Sequence, residues 1–143
     1  VNETSSSPVV GYLNSLPFLS KLVLLCIMLR KKRLGIAEIR LGEIYDELSN
    51  QAQVLLFSEL KKSLKGEDLG LLDIFFGSGK NRMMGSVINA SLFILKDLEE
   101  NGILIMQSLR IERDRLVRLN ISDDEILSIL KSDPMIQEII TFI

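Results

Sequence analysis

The spacing of hydrophobic residues along the chain predicts a protein built mainly from helices. Residues 19–32 are almost continuously apolar before they end in a basic cluster, which predicts a central helix that Pro17 opens and Gly35 closes. In residues 43–53 and 83–101 the apolar positions recur every three or four residues, which is the period of a helix with one buried face. We therefore expect three principal helices in the first 101 residues.

Other segments predict strands and a helical C-terminus. Residues 36–41 alternate apolar and polar side chains as a half-buried strand does. Ile103 to Met106 and Leu116 to Ile121 flank the polar turn Arg110 to Asp114 and predict a β-hairpin. A Ser-x-x-Glu capping box at residues 122–125 opens a further helix.

The rest of the chain has weaker patterns. We interpret residues 1–12 as a flexible linker, with residues 9–15 serving as a short connector. Residues 54–82 are interpreted as an insertion, in which residues 54–64 have a helical pattern and residues 65–82, punctuated by four glycines, are irregular around an apolar anchor at Leu71 to Phe76. After Asp133-Pro134 stops the preceding helix, Met135 to Ile143 predicts one short terminal helix.

The order of these elements is helix, strand, helix, inserted segment, helix, hairpin and helix. This is the order of a winged helix, a variant of the helix-turn-helix motif. We therefore predict one mostly α domain with a small β-hairpin over residues 13–143. The helix at 83–101 is then the candidate recognition helix, and the hairpin is the wing.

Composition excludes several classes of function. The chain has 143 residues, 47% of them hydrophobic, with a net charge of −2 and a mean hydropathy of +0.27. It has no apolar stretch of about 18 residues that would span a membrane. Its one cysteine, Cys26, lies in an apolar run, and it has no histidine, so we expect no disulfide framework, no His-based catalytic or metal site and no enzymatic activity.

Charged and polar residues suggest a nucleic-acid interface. Arginine at a wing can contact DNA phosphate or enter a minor groove, although Glu112 and Asp114 offer competing salt bridges within the hairpin. Residues 97–100 of the candidate recognition helix are acidic on balance, which disfavours DNA contact along its whole length. Gly77-Ser-Gly79-Lys80 lacks the spacing of a phosphate loop. The candidate DNA contacts are Ser86, Asn89, Lys80, Arg82, Arg110, Arg113, Arg115 and Arg118.

The C-terminus is both acidic and apolar. Residues 1–120 carry 16 cations and 14 acidic groups, whereas residues 121–143 carry one cation and five acidic groups. A solvated helix face is the ordinary explanation of such acidity. An apolar end indicates either a partner or docking on the domain's own core. The candidate protein-interface residues are Met135, Ile136, Ile139, Ile140 and Phe142.

A family resemblance is spread over about residues 13–133. It is carried by Leu16-Pro17-x-x-x-Lys21-Leu22-Val23-Leu24-Leu25, Leu41-Gly42-x-Ile44-Tyr45-Asp46, Leu95-x-x-Leu98-x-x-x-Gly102-Ile103-Leu104 and Val117-x-Leu119-x-Ile121. This pattern resembles the C-terminal winged-helix domain of the origin-recognition and licensing ATPases. That family includes the largest subunit of the origin recognition complex, its licensing relative and the yeast silent-information-regulator paralogue.

The resemblance implies a nuclear, non-enzymatic domain without a cofactor, because the family's ATPase module lies upstream. In replication members it implies DNA contact through the recognition helix and wing, with Ser86, Asn89 and the four wing arginines at the matching positions, and packing against other replication proteins. In the silencing paralogue it implies homodimerisation and association with nucleosomes. We expect the replication role, with the dimerisation module of a silencing protein as the alternative.

Overall fold

The computed structural model describes residues 8–59, 86–107 and 110–142, together with residues 62, 64, 66, 67 and 70. Its elements in chain order are α1 (Pro8–Asn14), α2 (Phe18–Leu34), β1 (Glu38–Arg40), α3 (Leu41–Phe57), α4 (Ser86–Glu100), β2 (Leu104–Met106), a 3₁₀ turn (Glu112–Asp114), β3 (Leu116–Leu119), α5 (Asp123–Ser132) and α6 (Pro134–Phe142). The predicted mostly α winged helix is confirmed.

Helix α2 is the centre of the domain, as its apolar run predicts. Its residues 22–27 are at most 2% exposed, because α3, α4 and α5 all pack against it. The helix ends at Gly35, whose φ of 67° is left-handed and whose N–H donates to the Lys31 carbonyl oxygen at 2.9 Å. Glycine adopts this conformation without steric cost, which explains why the helix ends there.

The sheet has three antiparallel strands in the order β1-β3-β2. The predicted hairpin of β2 and β3 is confirmed, and β1 extends it because Ile39 pairs with Val117 in the centre of the sheet. Both residues are fully buried, so this face of the sheet packs on the core. The opposite face carries Glu38, Arg118 and Ile105 in one row across the three strands.

On each of the two outer strands, a glutamate side chain accepts a hydrogen bond from an outward-facing backbone N–H group. The Arg40 N–H donates to Glu43 Oε2 at 3.4 Å beside β1, and the Met106 N–H donates to Glu99 Oε2 at 3.1 Å beside β2. Unpaired donors at sheet edges invite pairing with other strands. These two contacts therefore protect the small sheet against strand addition.

The N-terminal segment differs from the prediction at residues 8–14. These residues form helix α1 instead of a flexible linker and connector. Leu13 and Leu16 are buried in the core, and the Tyr12 O–H donates to Asp97 Oδ2 at 2.6 Å. These contacts anchor the segment, so the prediction of a linker is wrong for residues 8–12, while residues 1–7 lie outside the described part.

Helix α3 is longer than predicted. The pattern predicts that this helix runs to about residue 53 and that an insertion with a helical pattern begins at residue 54, but residues 54–57 continue α3, which has Ser58 as its C-cap. No glycine or proline interrupts residues 43–57, so nothing in the chain breaks the helix between them. The predicted apolar anchor at residues 71–76 lies outside the described residues.

The C-terminal helix α6 docks on the domain's own core. Ile136 and Ile139 are at most 1% exposed, so the prediction that they form a protein interface is wrong. Met135 and Ile140 are partly buried against the same core. The backbone of Phe142 belongs to α6, and its side chain lies outside the described set.

Asp133 directs α6 into this position. Its Oδ2 lies 3.1 Å from Lys21 Nζ on α2, and its Oδ1 accepts the N–H groups of Met135 at 2.9 Å and Ile136 at 3.2 Å. Although partial burial opposes ionisation, these bonds lower the pKa of Asp133 below its ordinary value. One carboxylate thus caps α6 and joins it to α2.

Candidate nucleic-acid interface

Two wing arginines and the arginine of β1 have exposed side chains in the sheet region. Arg118 lies on β3 and Arg110 precedes the 3₁₀ turn, and both side chains are exposed. Arg40 lies on β1, two register positions from the Glu38–Arg118 pair and on the same face of the sheet. Within the described part of the chain, none of these three side chains forms an ion pair.

Sequence reasoning did not identify Arg40 as a candidate. Its position beside the wing depends on the pairing of β1 with β3, which connects residues about 78 positions apart. A local pattern predicts that Arg40 is an outward residue of a strand, but it does not say which strand lies next to it. The signal available in the sequence was the alternation over residues 36–41 alone.

The other two wing arginines are engaged within the chain. Arg113 Nη2 lies 3.2 Å from Asp46 Oδ2 on α3 and 3.3 Å from the Gly42 carbonyl oxygen. Arg115 is half-buried and takes part in an interaction inside the domain. Arg113 is nevertheless 54% exposed, so the four arginines predicted together as DNA contacts divide by their contacts within the chain: Arg113 and Arg115 are engaged, and Arg110 and Arg118 form no ion pair among the described residues.

Helix α4 occupies the position of a recognition helix. Ser86 and Asn89 lie in its first turns, although their side chains fall outside the described set. Lys80 and Arg82, predicted to precede this helix as DNA contacts, also lie outside the described residues. Farther along α4, Phe93 is 76% exposed, which is unusual for a large aromatic side chain.

The acidic second half of α4 has structural roles. Asp97 accepts the hydrogen bond from Tyr12, and Glu99 accepts the Met106 N–H. Partial burial and the Asp97 contact raise the pKa of Tyr12 well above its ordinary value. The acids that disfavour DNA along this helix therefore hold α1 and β2 in place.

The basic end of α2 is largely neutralised by internal acids. Glu47 is 1% exposed, and its Oε1 lies 3.0 Å from Arg30 Nε and 2.7 Å from Arg33 Nη1. Lys31 Nζ lies 2.7 Å from Asp123 Oδ1 at the start of α5. Most of this cluster therefore joins α2 to α3 and α5.

A shallow groove of about 490 Å³ lies between the end of α2 and the sheet. The partly exposed apolar side chains of Leu34 and Ile36 line it together with Leu116. Arg40, Glu38 and Glu43 are the charged residues that line it. The groove is open and of mixed polarity, and it adjoins the exposed face of the sheet.

The described residues contain no group of three or more Cys, Asp or Glu side chains placed to hold a metal ion. Burial raises the pKa of the Cys26 thiol well above its ordinary value, so this residue is a poor nucleophile. Among the described helices, none has both the length and the apolar character needed to cross a membrane.

Comparisons with known proteins agree with this architecture. Residues 10–133 match a family described as the Origin recognition complex subunit 1 C-terminal winged HTH domain. The chain is similar to Origin recognition complex subunit 1 of Debaryomyces hansenii, with 41% identity over 98% of this chain and 18% of that protein. The corresponding protein of Candida albicans is 34% identical over 96% of this chain and 18% of its own length, and that of Schizosaccharomyces pombe is 29% identical over 93% and 16%. The chain thus spans less than a fifth of these relatives.

Proposed function

Because this chain belongs to the family of Origin recognition complex subunit 1 C-terminal winged helix-turn-helix domains, we propose that it is a non-enzymatic interaction domain in DNA replication initiation. In this proposal it works in the nucleus, where it contributes to association with duplex DNA or chromatin and to assembly with other replication proteins. It requires no cofactor for either role.

The observation that carries the DNA role is the set of exposed arginines in the sheet region. Arg40, Arg110 and Arg118 form no ion pair among the described residues, so they are available for phosphate contacts, which account for most non-specific DNA affinity. The cations of α2 are mostly paired with Glu47 and Asp123. The wing therefore leads the contact, and the first turns of α4, with Ser86 and Asn89, approach the bases.

The test is a titration of a fluorescent DNA duplex with the 143-residue chain at several low salt concentrations. Arg118→Ala is expected to weaken binding several-fold and to lower the slope of log K against log salt by about 1, as the loss of one phosphate contact does. Lys131→Ala is the matched control, because it removes one exposed cation from α5. If both variants bind like the wild type, or if the wild type binds no duplex at low salt, the DNA role is wrong.

Exposed apolar side chains favour assembly with proteins as a second function. Phe93 is 76% exposed on α4, Ile111 is 62% exposed in the wing, and Ile36 is 48% exposed at the groove. Each of these side chains would lose exposed apolar area if a protein partner covered it, which is favourable for association. A homodimerisation module, as in the silencing paralogue, is the alternative form of this role.

Sedimentation equilibrium across concentration separates these forms of assembly. A mass that rises toward twice 16.1 kDa at micromolar concentration, and that falls back with Phe93→Ser, supports self-association. A constant mass of one chain up to high micromolar concentration contradicts the dimerisation alternative. Assembly with other replication proteins then remains the form to test by adding them.

A further inference from the structure

The side chain of Arg113 extends from the wing to the start of α3. It belongs to the 3₁₀ turn between β2 and β3, yet its Nη2 lies 3.2 Å from both carboxylate oxygens of Asp46. The same nitrogen donates to the Gly42 carbonyl oxygen at 3.3 Å. One guanidinium thus contacts two positions that are four residues apart on α3.

The guanidinium of Arg113 occupies the space that a side chain at position 42 would enter. A Cβ atom on Gly42 would lie 2.9 Å from Arg113 Nε, which is closer than real Cβ contacts, and 3.0 Å from Cζ, so the end of the arginine side chain would have to move. The only positive φ angles among the described glycines are those of Gly35 and Gly102, so Gly42 is not needed for an unusual backbone conformation. Its role is to leave room for the arginine.

The wing turn has few other described anchors. Ile111 is 62% exposed, so it does not bury an apolar side chain in the core. The Asp114 N–H bonds only locally, to the Ile111 carbonyl oxygen at 3.1 Å. The 3₁₀ turn nevertheless packs against α3, and Arg113 makes polar contacts across this junction.

We propose that Arg113 is a positioning residue that holds the wing tip on α3, and that it does not itself contact DNA. It orients the turn from which Arg110 projects, while Asp46 and Gly42 form its seat. The inference rests on the proposed function only in naming DNA as the ligand of the wing. Its structural part is tested without DNA.

The first readout is amide hydrogen exchange of the wing in the 143-residue chain, followed by NMR. Arg113→Ala, Asp46→Asn and Gly42→Ala are each expected to speed exchange at the Asp114 amide by about two- to fivefold, as the loss of an exposed ion pair does. Exchange at the Asn120 amide, which donates to the Ile103 carbonyl oxygen at the base of the hairpin, is expected to stay unchanged.

Gly42→Ala shows whether faster exchange comes from losing the Arg113 contact or from a general loss of stability. Alanine is a better helix former than glycine, so the variant is expected to keep its melting temperature while its Cβ displaces the guanidinium. Arg110→Ala is the matched control, because it removes an arginine of the same turn that has no ion pair among the described residues. The Asp46→Asn, Arg113→Ala double variant is expected to exchange no faster than either single variant.

The second readout is duplex binding, and it separates positioning from direct contact. Asp46→Asn removes a negative charge, which by itself favours DNA binding, so its affinity is compared with that of Asp114→Asn, which removes a negative charge from the wing. If Arg113 positions the wing, Arg113→Ala binds duplex more weakly than the wild type, and Asp46→Asn binds more weakly than Asp114→Asn. If Arg113 is instead a phosphate contact that Asp46 holds back, Asp46→Asn binds duplex more tightly than Asp114→Asn does. That result overturns the inference.

Unchanged exchange at Asp114 in Arg113→Ala and Gly42→Ala also overturns it. If the wild type binds no duplex, the proposed DNA function fails. The exchange data then decide on the positioning role alone.

Discussion

Replacing Asp133 by alanine is expected to loosen the C-terminal helix α6 from the core. The substitution removes the 3.1 Å contact with Lys21. It also removes the acceptor for the N–H groups of Met135 and Ile136, which have no intrahelical partner at the start of a helix. The buried side chains of Ile136 and Ile139 depend on this docking.

The magnitude follows from the two kinds of contact. Loss of an N-terminal helix cap costs about 1 kcal/mol. The Lys21 and Asp133 side chains are only 12% and 18% exposed, so their charged hydrogen bond is worth about 1.5 kcal/mol, at the lower end of the range for such bonds. Asp133→Ala is therefore expected to lower the free energy of unfolding by about 2.5 kcal/mol, and the melting temperature of this chain by about 8 °C.

Asp133→Asn separates the two terms. Asparagine caps helices as well as aspartate does, so this variant keeps the cap and loses only the charge. The expected loss is about 1.5 kcal/mol. Lys21→Met is the matched change on α2, and combining it with Asp133→Asn is expected to add little, because both remove the same contact.

The pH dependence has a definite sign. The pKa of Asp133 is lowered in the folded chain, so its charge contributes stability above the unfolded value of about 3.9. That contribution is lost as the pH falls through the lower, folded pKa. The difference in stability between wild type and Asp133→Asn is therefore expected to be complete at about pH 6 and to shrink below about pH 4.

The assay is urea unfolding followed by circular dichroism at a series of pH values. Equal losses in Asp133→Ala and Asp133→Asn would mean that the cap contributes nothing. A difference between wild type and Asp133→Asn that stays constant down to about pH 2 would refute the role of the charge.

Two further predictions concern the polar contacts of α3 and α4. Glu47→Gln removes a buried carboxylate from Arg30 and Arg33. It is expected to lower the free energy of unfolding in urea by about 3 kcal/mol, the lower limit for breaking a buried pair, because both arginines reach solvent. A loss under about 1 kcal/mol would contradict this expectation. Tyr12→Phe removes the 2.6 Å bond to Asp97 and is expected to cost about 1 kcal/mol. Since the pKa of Tyr12 is raised, this stabilisation is complete below about pH 10 and is lost as the pH rises further, which ultraviolet titration of wild type against the variant measures.

Local signals in the sequence predicted much of the fold. Gly35 ends α2 in a left-handed conformation, as a glycine after an apolar run indicates. Ser122 accepts the Glu125 N–H at 3.2 Å, as the capping box predicts. These signals succeed because the interactions behind them lie within four residues along the chain.

Features that depend on distant residues were not predictable in the same way. The pattern of residues 135–143 indicates an apolar helix, but it does not say whether that helix covers a partner or its own core. In the structure this helix packs on the domain's own core, and Lys21, 112 positions away, donates a hydrogen bond to Asp133 just before the helix begins. The helix at Pro8–Asn14 is likewise held by Asp97, 85 positions from Tyr12.

The charge distribution acquires a meaning only in three dimensions. Along the chain, cations are in excess before residue 121 and acids are in excess after it. This count alone does not say which surface of the domain is positive. In the structure, the acidic C-terminal part pairs with α2 through Lys21 and Lys31, and Glu47 takes up two further cations of α2. Because these charges neutralise one another inside the domain, they contribute little to the field at a distance.

The positive groups left without ion pairs among the described residues include those of the sheet region, Arg40, Arg110 and Arg118. A domain with a net charge of −2 can therefore still present a local cationic face, since DNA responds to the charges within about a Debye length of its phosphates, about 10 Å in moderate salt. Net charge argues against DNA binding only where the charges are spread evenly. Here Arg40, Arg110 and Arg118 are exposed in the sheet region, while Lys32, Lys96 and Lys131 are exposed elsewhere on the domain, so the local charge of the wing face matters more for duplex binding than the net charge.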